Sequence, residues 1–365
     1  MKKKKICFFN KDMKAGGVER QLYCLVNGLN SRKYDIMLLL CRKEGEFSGR
    51  ISDGIGVYGL GVSYSRCNKI FIMIKLFLFL VKNRPDIFIS FHSHLNTVSV
   101  IVCRLLAMKV FICFPGHFPA SRLARLRRFF YTKADMLISV SGGVRDSLVK
   151  NLHIPESGKN IIIENCVDME DVGKKAREET GGGFPDTNRF TIVSAGRLSA
   201  EKNFGLLIRA AALLPADCRV LIIGDGEQRE YLENLAAEYG LRDMVSFTGF
   251  QPNPYRFIKR ASVYVLPSDS EGLPTVLLEA MSLGVPCISA DYHGRTDDVI
   301  EHDVTGYVFR RGNHYELAKA VDFFRDGKNH EKIKRMIENA GARVREFSVE
   351  KYVRKYERLF DEYLK

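Results

Sequence analysis

No stretch of this chain is long and apolar enough to cross a bilayer as a helix. The nearest, Ile70–Val81, has twelve residues and contains Lys75, where a span needs about 20. Paired CxxC spacing is also missing. The nine cysteines lie scattered, which argues against a zinc framework and a disulfide scaffold and for a reducing, cytoplasmic setting. There is no low-complexity tract and no clear internal repeat. Nor is a secretory leader expected: Met-Lys-Lys-Lys-Lys is followed by Ile6–Phe9, too short for a leader's apolar core, and that run reads as a first strand.

Acidic charge is short in one half only. Residues 1–168 hold 27 basic and 12 acidic side chains, and residues 169–365 hold 29 and 31. The first half therefore carries the whole of the net charge of +13. A basic half suits an anionic partner: nucleic acid, an anionic membrane or a phosphorylated substrate. Solubility alone is the plainer explanation.

What is present is alternation. With 365 residues, two domains are expected. Apolar, β-branched runs at Ile6–Phe9, Ile36–Leu40, Ile87–Phe91, Val110–Phe114, Met136–Val140 and Ile161–Ile163 read as strands. Helical patterns fall between them at Val18–Leu29, Asn96–Ala107 and Val144–Leu152. The second half repeats the scheme. Its strands are Phe190–Ala195, Val220–Ile223, Val263–Leu266 and Pro286–Ser289, and its helices Asn203–Leu214, Gln228–Tyr239 and Thr275–Ser282. Such alternation predicts an α/β protein with parallel sheets covered by helices on both faces. The polar stretch Glu170–Asn188, with Gly181-Gly182-Gly183, reads as the linker. The two domains are expected at 1–168 and 169–345, followed by a final helical segment 346–365. In that segment Val349, Tyr352, Val353, Tyr356, Leu359, Phe360, Tyr363 and Leu364 form one apolar stripe at helical spacing.

Doubly wound domains bind ligands beyond the carboxyl ends of their strands, and polar residues gather there in the second half. In Gly196-Arg197-Leu198-Ser199-Ala200-Glu201-Lys202-Asn203, Arg197 offers a fork and Lys202 a compact charge for one anion. Two fixed cations on a diphosphate stabilise it as a leaving group. Solvated loop charges account for them equally well on their own. Gly224-Asp225-Gly226-Glu227 admits close approach of a ligand, or only packing. In Glu271-Gly272-Leu273-Pro274-Thr275-Val276-Leu277-Leu278-Glu279, Pro274 suits the first position of a helix. Glu279 would then lie about one turn in. Free amides at that helix start can take phosphate oxygens, and the two carboxylates can accept bonds from sugar hydroxyls.

These blocks together resemble the family 4 glycosyltransferases with the GT-B fold. Glu271 and Glu279 inside EGLPTVLLEAMSLGVPCISA look like that family's paired-glutamate motif, and GRLSAEKN, IIGDGEQ, VSFTGF and DVTGYVF resemble its other blocks in order. The resemblance covers most of residues 190–310 and more loosely the whole chain. It implies two Rossmann-like doubly wound domains facing a cleft, the first binding the acceptor and the second the nucleotide sugar, with the last helix packing back toward the first. Arg197 and Lys202 would hold the donor diphosphate. Glu279 would bind the ribose, and Glu271 hydroxyls of the transferred sugar, helped by amides of Gly272, Leu273, Pro274-flanking backbone and Thr275. Phe250 would lie near the base. One departure is His293-Gly294-Arg295-Thr296-Asp297-Asp298, where relatives usually show paired glycines and a glutamate.

In the first half Gly16 and Gly17, in Ala15-Gly16-Gly17-Val18-Glu19-Arg20, resemble the family's N-terminal glycine loop, near phosphate or sugar. Phe114-Pro115-Gly116-His117 follows a strand. The resemblance places a sugar-contacting histidine there, so His117 is the candidate, with His92 and His94 after a neighbouring strand as competitors. It also implies retaining transfer by front-face attack. No segment resembles the Asp-x-Asp metal site of the other major transferase fold, so transfer without metal or resident cofactor is expected, with the nucleoside diphosphate sugar, a UDP-sugar in first place, as co-substrate.

The expected acceptor is a lipid-linked or other saccharide, and an anionic membrane surface is the expected partner, at the inner face of the cell membrane. Two segments motivate this. Ser121–Lys133 interleaves Arg122, Arg125, Arg127 and Arg128 with Leu123, Leu126, Phe129 and Phe130. Lys69–Arg84 is apolar inside basic flanks and reads equally as a fully buried helix. Two other functions compete: a related GT-B epimerase or phosphorylase, and a nucleic-acid binder suggested by the pI of about 9.3. The latter has no recognised motif and leaves Arg197, Lys202, Glu271 and Glu279 unexplained, so no nucleic-acid partner is expected.

Overall fold

A computed structural model of the chain describes residues 3–14, 16–65, 67–118, 123–178, 189–293 and 295–365. It divides into two units, Met1–Cys166 with Val349–Lys365, and Val167–Ser348.

The first unit runs β1 (Lys4–Asn10), α1 (Gly17–Gly28), β2 (Tyr34–Leu40), β3 (Gly56–Gly59), α2 (Lys69–Asn83), β4 (Ile87–Ser90), α3 (Asn96–Leu105), β5 (Val110–Phe114), α4 (Ala124–Tyr131), β6 (Met136–Ser139), α5 (Gly142–Leu152) and β7 (Asn160–Ile162). Its seven strands lie in the order β3-β2-β1-β4-β5-β6-β7, and each pairing is parallel. Strands β4, β5 and β6 are buried along their whole length, as continuous apolar runs covered on both faces must be. Order reverses between β1 and β4, which makes that junction the switch point of this sheet.

The second unit runs α6 (Met169–Lys175), β8 (Phe190–Ala195), α7 (Phe204–Ala211), β9 (Cys218–Ile223), α8 (Arg229–Glu238), β10 (Val245–Phe247), α9 (Tyr255–Ile258), β11 (Val263–Leu266), α10 (Thr275–Ser282), β12 (Cys287–Ala290), β13 (Tyr307–Phe309), α11 (His314–Arg325) and α12 (His330–Val344). Its parallel sheet has the order β10-β9-β8-β11-β12-β13. Here the switch point lies between β8 and β11.

The chain then closes with α13 (Val349–Tyr363). Its apolar stripe, Tyr352, Val353, Tyr356, Leu359 and Phe360, is buried in the core of the first unit against α1 and β1. Polar bonds tie it there as well. The Tyr34 hydroxyl donates to Asp361 at 2.9 Å, and Lys33 pairs with the same carboxylate at 2.5 Å.

Three expectations change. The crossings between units fall at Cys166–Val167 and Ser348–Val349, a few residues from the boundaries expected at 168 and 345. The segment expected to be linker begins as helix: Asp168 caps α6 by accepting from the Asp171 amide at 3.0 Å, and α6 packs on α9 and α10 within the second unit. The triple glycine at 181–183 lies outside the described residues. Finally, Lys69–Arg84 is not a fully buried helix. In α2 only Ile72, Leu76 and Leu80 are buried.

Candidate functional site

The second unit's switch point gathers the residues singled out in its sequence. After β8 the chain turns through Gly196 and Arg197 into a short 3₁₀ turn, Ala200–Lys202, which ends at Asn203 with φ of 47°. That left-handed turn re-aims the chain into α7. The turn is fastened to the loop after β11: the Asn203 side-chain amide donates to Asp269 at 3.1 Å, and the Asp269 amide donates to the Glu201 carbonyl at 2.9 Å. Across this junction Lys202 Nζ donates to Glu271 Oε1 at 2.7 Å, with the two side chains 24% and 10% exposed. The two residues expected on the two ends of a donor are thus in direct contact. Arg197 is exposed beside them and has no ion-pair partner among the described residues.

Tyr264, a residue the sequence did not single out, fixes the start of this loop. It stands on β11, fully buried, and its hydroxyl both donates to the Ala195 carbonyl and accepts from the Ala195 amide, each at 3.1 Å. Burial pushes its phenol well above the ordinary range, so it keeps its proton. Nothing in the run Val263–Leu266 distinguishes it from a core tyrosine.

Pro274 stands one position earlier than expected, as the cap before α10. At the opening of α10 the Leu277 amide donates to the Pro274 carbonyl at 3.1 Å, while those of Thr275 and Val276 precede any intrahelical acceptor and stand where an anion is favoured. One turn further in, Glu279 is 7% exposed. Its Oε1 accepts from the Tyr255 hydroxyl at 3.1 Å, and Tyr255, on α9, is a second participant the sequence did not reveal. Two hydroxyls in these loops, Ser199 and Ser268, are buried without hydrogen-bond partners, which leaves polar capacity at the ends of β8 and β11 for a ligand to use.

The glycines of the next loop have a packing role. At Gly224, with φ of 139°, a Cβ would lie 1.9 Å from the Gly196 carbonyl oxygen, and at Gly226 one would lie 2.5 Å from that of Leu198. Both positions let the loop after β9 press on the Arg197 loop, so close backbone contact explains them without a ligand. Gly224 in turn pairs with Gly249, and this brings the loop carrying Phe250, 57% exposed, to the same edge of the sheet. The divergent loop after β12 also joins the site: His293 exchanges backbone bonds with the Glu271 segment, its carbonyl accepting from Glu271 and its amide donating to Asp269. Gly294 lies outside the described residues.

In the first unit, polar groups crowd the carboxyl ends of β1 and β4. Gly16 caps α1 in extended conformation, and Gly17 has open space where a Cβ would stand. Fully buried Asn10 donates to Glu19 Oε1 at 3.2 Å, and burial raises the Glu19 carboxyl. Glu19 lies in the glycine-loop segment but carried no signal of its own. The rings of His92 and His94 lie tilted against one another and against Tyr64. Burial first, then His94, pushes His92 down to about 4, so it is neutral at pH 7. His117 follows β5 half-buried. Asn10 Oδ1, Ser90 Oγ, Asn96 Oδ1 and Ser139 Oγ are buried along this edge with no hydrogen-bond partner among the described residues.

Comparison with known proteins agrees with this arrangement. Residues 15–171 match the model of Glycosyltransferase Family 4, and residues 177–343 that of Glycosyl transferases group 1. The chain is 30% identical over 191 residues to an N-acetylgalactosamine-N,N'-diacetylbacillosaminyl-diphospho-undecaprenol 4-alpha-N-acetylgalactosaminyltransferase of Campylobacter jejuni, covering 52% of this chain and 51% of that one. It is 29% identical over 237 residues to the lipopolysaccharide 1,6-galactosyltransferase of Escherichia coli, covering 59% and 64%. Among solved structures, HepE of Anabaena in complex with UDP superimposes with a TM-score of 0.79 at 20% identity, over 98% of this chain and 100% of that one. Two parallel α/β units of this topology, matched by both family models across nearly the whole chain, make it a member of the family 4 type of glycosyltransferases with the GT-B fold.

Proposed function

We propose that the protein is a retaining glycosyltransferase that moves a hexose or N-acetylhexosamine from a UDP-sugar to a lipid-linked saccharide. The observation that carries this reading is the Lys202–Glu271 pair at the switch point, in the loop that also exposes Arg197. Lys202 and Arg197 take the donor diphosphate, and Glu271 takes hydroxyls of the sugar, so the pair opens as donor enters. Glu279, with Tyr255 behind it, takes the ribose, and Phe250 lies along the base. The amides of Gly272, Leu273 and Thr275, with that of Val276 at the start of α10, complete the phosphate contacts. In the first unit Gly16, Gly17 and His117 face the transferred sugar.

The reaction breaks the anomeric C–O bond to the β-phosphate and forms one to an acceptor hydroxyl on the same face. The departing phosphate oxygen takes the acceptor's proton, so no protein nucleophile is consumed. Arg197 and Lys202 stabilise the charge that grows on the diphosphate, in the role a divalent ion fills elsewhere, and transfer is metal-independent. UDP is favoured because HepE was solved with it, and a lipid-linked acceptor because the Campylobacter relative is named for one. Such an acceptor brings the enzyme to an anionic membrane surface on the cytoplasmic side.

Thermal-shift screening of UDP-, GDP- and ADP-sugars tests the donor, since a ligand of the folded state raises its apparent stability. NMR of the product's anomeric configuration tests retention, and transfer in EDTA tests the metal. An inverted product, or strict need for added Mg or Mn, refutes the corresponding step.

A further inference from the structure

Helix α2 presents an apolar face to solvent. Ile70, Phe71, Ile74, Phe77, Leu78 and Val81 are 37–65% exposed. At about 100° per residue these six fall within an arc of about 120°, opposite the buried Ile72, Leu76 and Leu80. The core of the first unit thus uses one side of α2 and leaves the other bare, in a stretch wider than the scattered single residues of an ordinary surface.

Charge decides what covers it. Residues 54–134, which build α2, α3 and α4, contain twelve lysines and arginines and a single acid, Asp86. Lys69, Lys75, Lys82 and Arg84 border the apolar stripe, all exposed. Helices α2, α3 and α4 pack side by side. On α3 Leu105 is exposed, and on and before α4 so are Leu123, Leu126 and Phe129, beside exposed Arg125 and Arg128. Arg127 is committed elsewhere, over the Phe118 ring at 5.2 Å, and Arg122 lies outside the described residues. A second copy of the chain would set these cations against one another. An anionic lipid surface supplies the opposite charge and an apolar interior together. With fifteen residues α2 is about 22 Å long, shorter than a hydrocarbon core of about 30 Å, so it cannot cross and fits only in the plane of the interface.

We infer that α2 is an in-plane anchor: its apolar face enters the acyl boundary of an anionic bilayer, while Arg125 and Arg128 of α4 meet headgroup phosphates. This deepens the reading of a lipid-linked acceptor and rests on it for the acceptor's location. The anchor itself is hydrophobic, so part of the attachment survives salt, which screens only the arginines.

The test is co-sedimentation of the full chain with vesicles of phosphatidylcholine, or of equal phosphatidylcholine and phosphatidylglycerol, at 0.1 M and 1 M NaCl, with neither donor nor acceptor. Wild type binds the anionic vesicles and keeps a measurable fraction of that binding at 1 M NaCl. A Phe71→Ser/Leu78→Ser variant loses about tenfold per residue in partition coefficient and all salt-resistant binding. Both positions are exposed, so its melting temperature stays that of wild type. A fluorophore on Leu78→Cys, quenched by brominated acyl chains, reads insertion with α2 otherwise intact. Equal partition of variant and wild type, an unquenched probe, or a wild-type dimer by light scattering that the double substitution dissolves would each overturn the anchor. Transfer is scored separately with a detergent-dispersed acceptor. A chain that binds vesicles but transfers nothing refutes the proposed reaction and keeps the anchor. One that transfers but ignores vesicles does the reverse.

Discussion

The Lys202–Glu271 contact allows a double-mutant cycle whose size follows from its geometry. At 2.7 Å, two unit charges at an effective dielectric of 20 attract by about 6 kcal/mol before desolvation is counted. Desolvation takes back most of that for groups this sheltered. Fully exposed pairs are worth under about 1 kcal/mol, and loss of one partner of a buried pair costs about 3–5 kcal/mol. With Glu271 10% and Lys202 24% exposed, the pair stands between these limits, at about 2 kcal/mol. Urea unfolding of Lys202→Met, Glu271→Gln and the double variant reads it. Each single substitution is expected to cost about 2 kcal/mol and the double no more than either, a coupling of about 2 kcal/mol. Transfer is expected to behave differently, because in the proposed site each residue meets a different end of the donor: both singles should fall at least a hundredfold, and the double further. Additive costs in unfolding, with coupling under about 0.3 kcal/mol, would show that the pair is not held in solution. The case for a preassembled site would go with it.

Arg197→Ala is expected to leave stability within about 0.5 kcal/mol, because the residue is exposed and has no ion-pair partner among the described residues, yet to cut transfer about a hundredfold or more; normal turnover would remove it from the site. Gly224→Ala must meet the Gly196 carbonyl at 1.9 Å from a φ of 139°, so it should cost more than about 2 kcal/mol in unfolding, whereas Gly17→Ala, in open space, should cost under about 1 kcal/mol. Tyr255→Phe removes a hydroxyl 3.1 Å from Glu279 and should cost about 1–2 kcal/mol while raising the KM for donor more than it lowers kcat. His92 is held down to about 4, so the unfolded chain binds its proton first as pH falls. The stability it contributes is complete above about pH 6.5 and lost toward pH 4, at most about 3 kcal/mol. His92→Gln should therefore flatten the fall in unfolding free energy between pH 7 and 4.5, and an unchanged slope would refute its burial.

The fold was legible wherever a strand lies inside its sheet. Val110–Phe114, Phe190–Ala195 and Val263–Leu266 fall where their apolar runs place them, because a strand covered on both faces must be apolar throughout. The strands not read from apolar runs are β3, β10 and β13, each of three or four residues at a sheet edge, although the blocks VSFTGF and DVTGYVF, which hold the last two, stood out by resemblance. Half of their surface is wet and they are too short for a period to appear. Helix α11 was legible in principle: Asn313 accepts from the Glu316 amide at 3.1 Å while its side-chain amide donates to that carboxylate, an N-cap written in the sequence as Asn-x-x-Glu.

The site was legible in its charges and opaque in its supports, and the difference is physical. Arg197, Lys202 and Glu271 follow strands in loops, where a charge needs no core-packing explanation, and Glu279 interrupts the apolar run of α10, so their type and spacing carry information. Tyr255 and Tyr264 act through hydroxyls alone, on rings that pack like any core aromatic, so their sequence context cannot separate the two uses. The same limit applied to α2. A run such as IFIMIKLFLFLV is what a buried helix and an interfacial one have in common. Only the placement of Ile72, Leu76 and Leu80 inward, and of Phe71, Ile74 and Leu78 outward, distinguishes them. Composition could assign the basic half an anionic partner. The burial of one helical stripe, and the exposure of the other, add an apolar face to the charge that the proposed partner would meet.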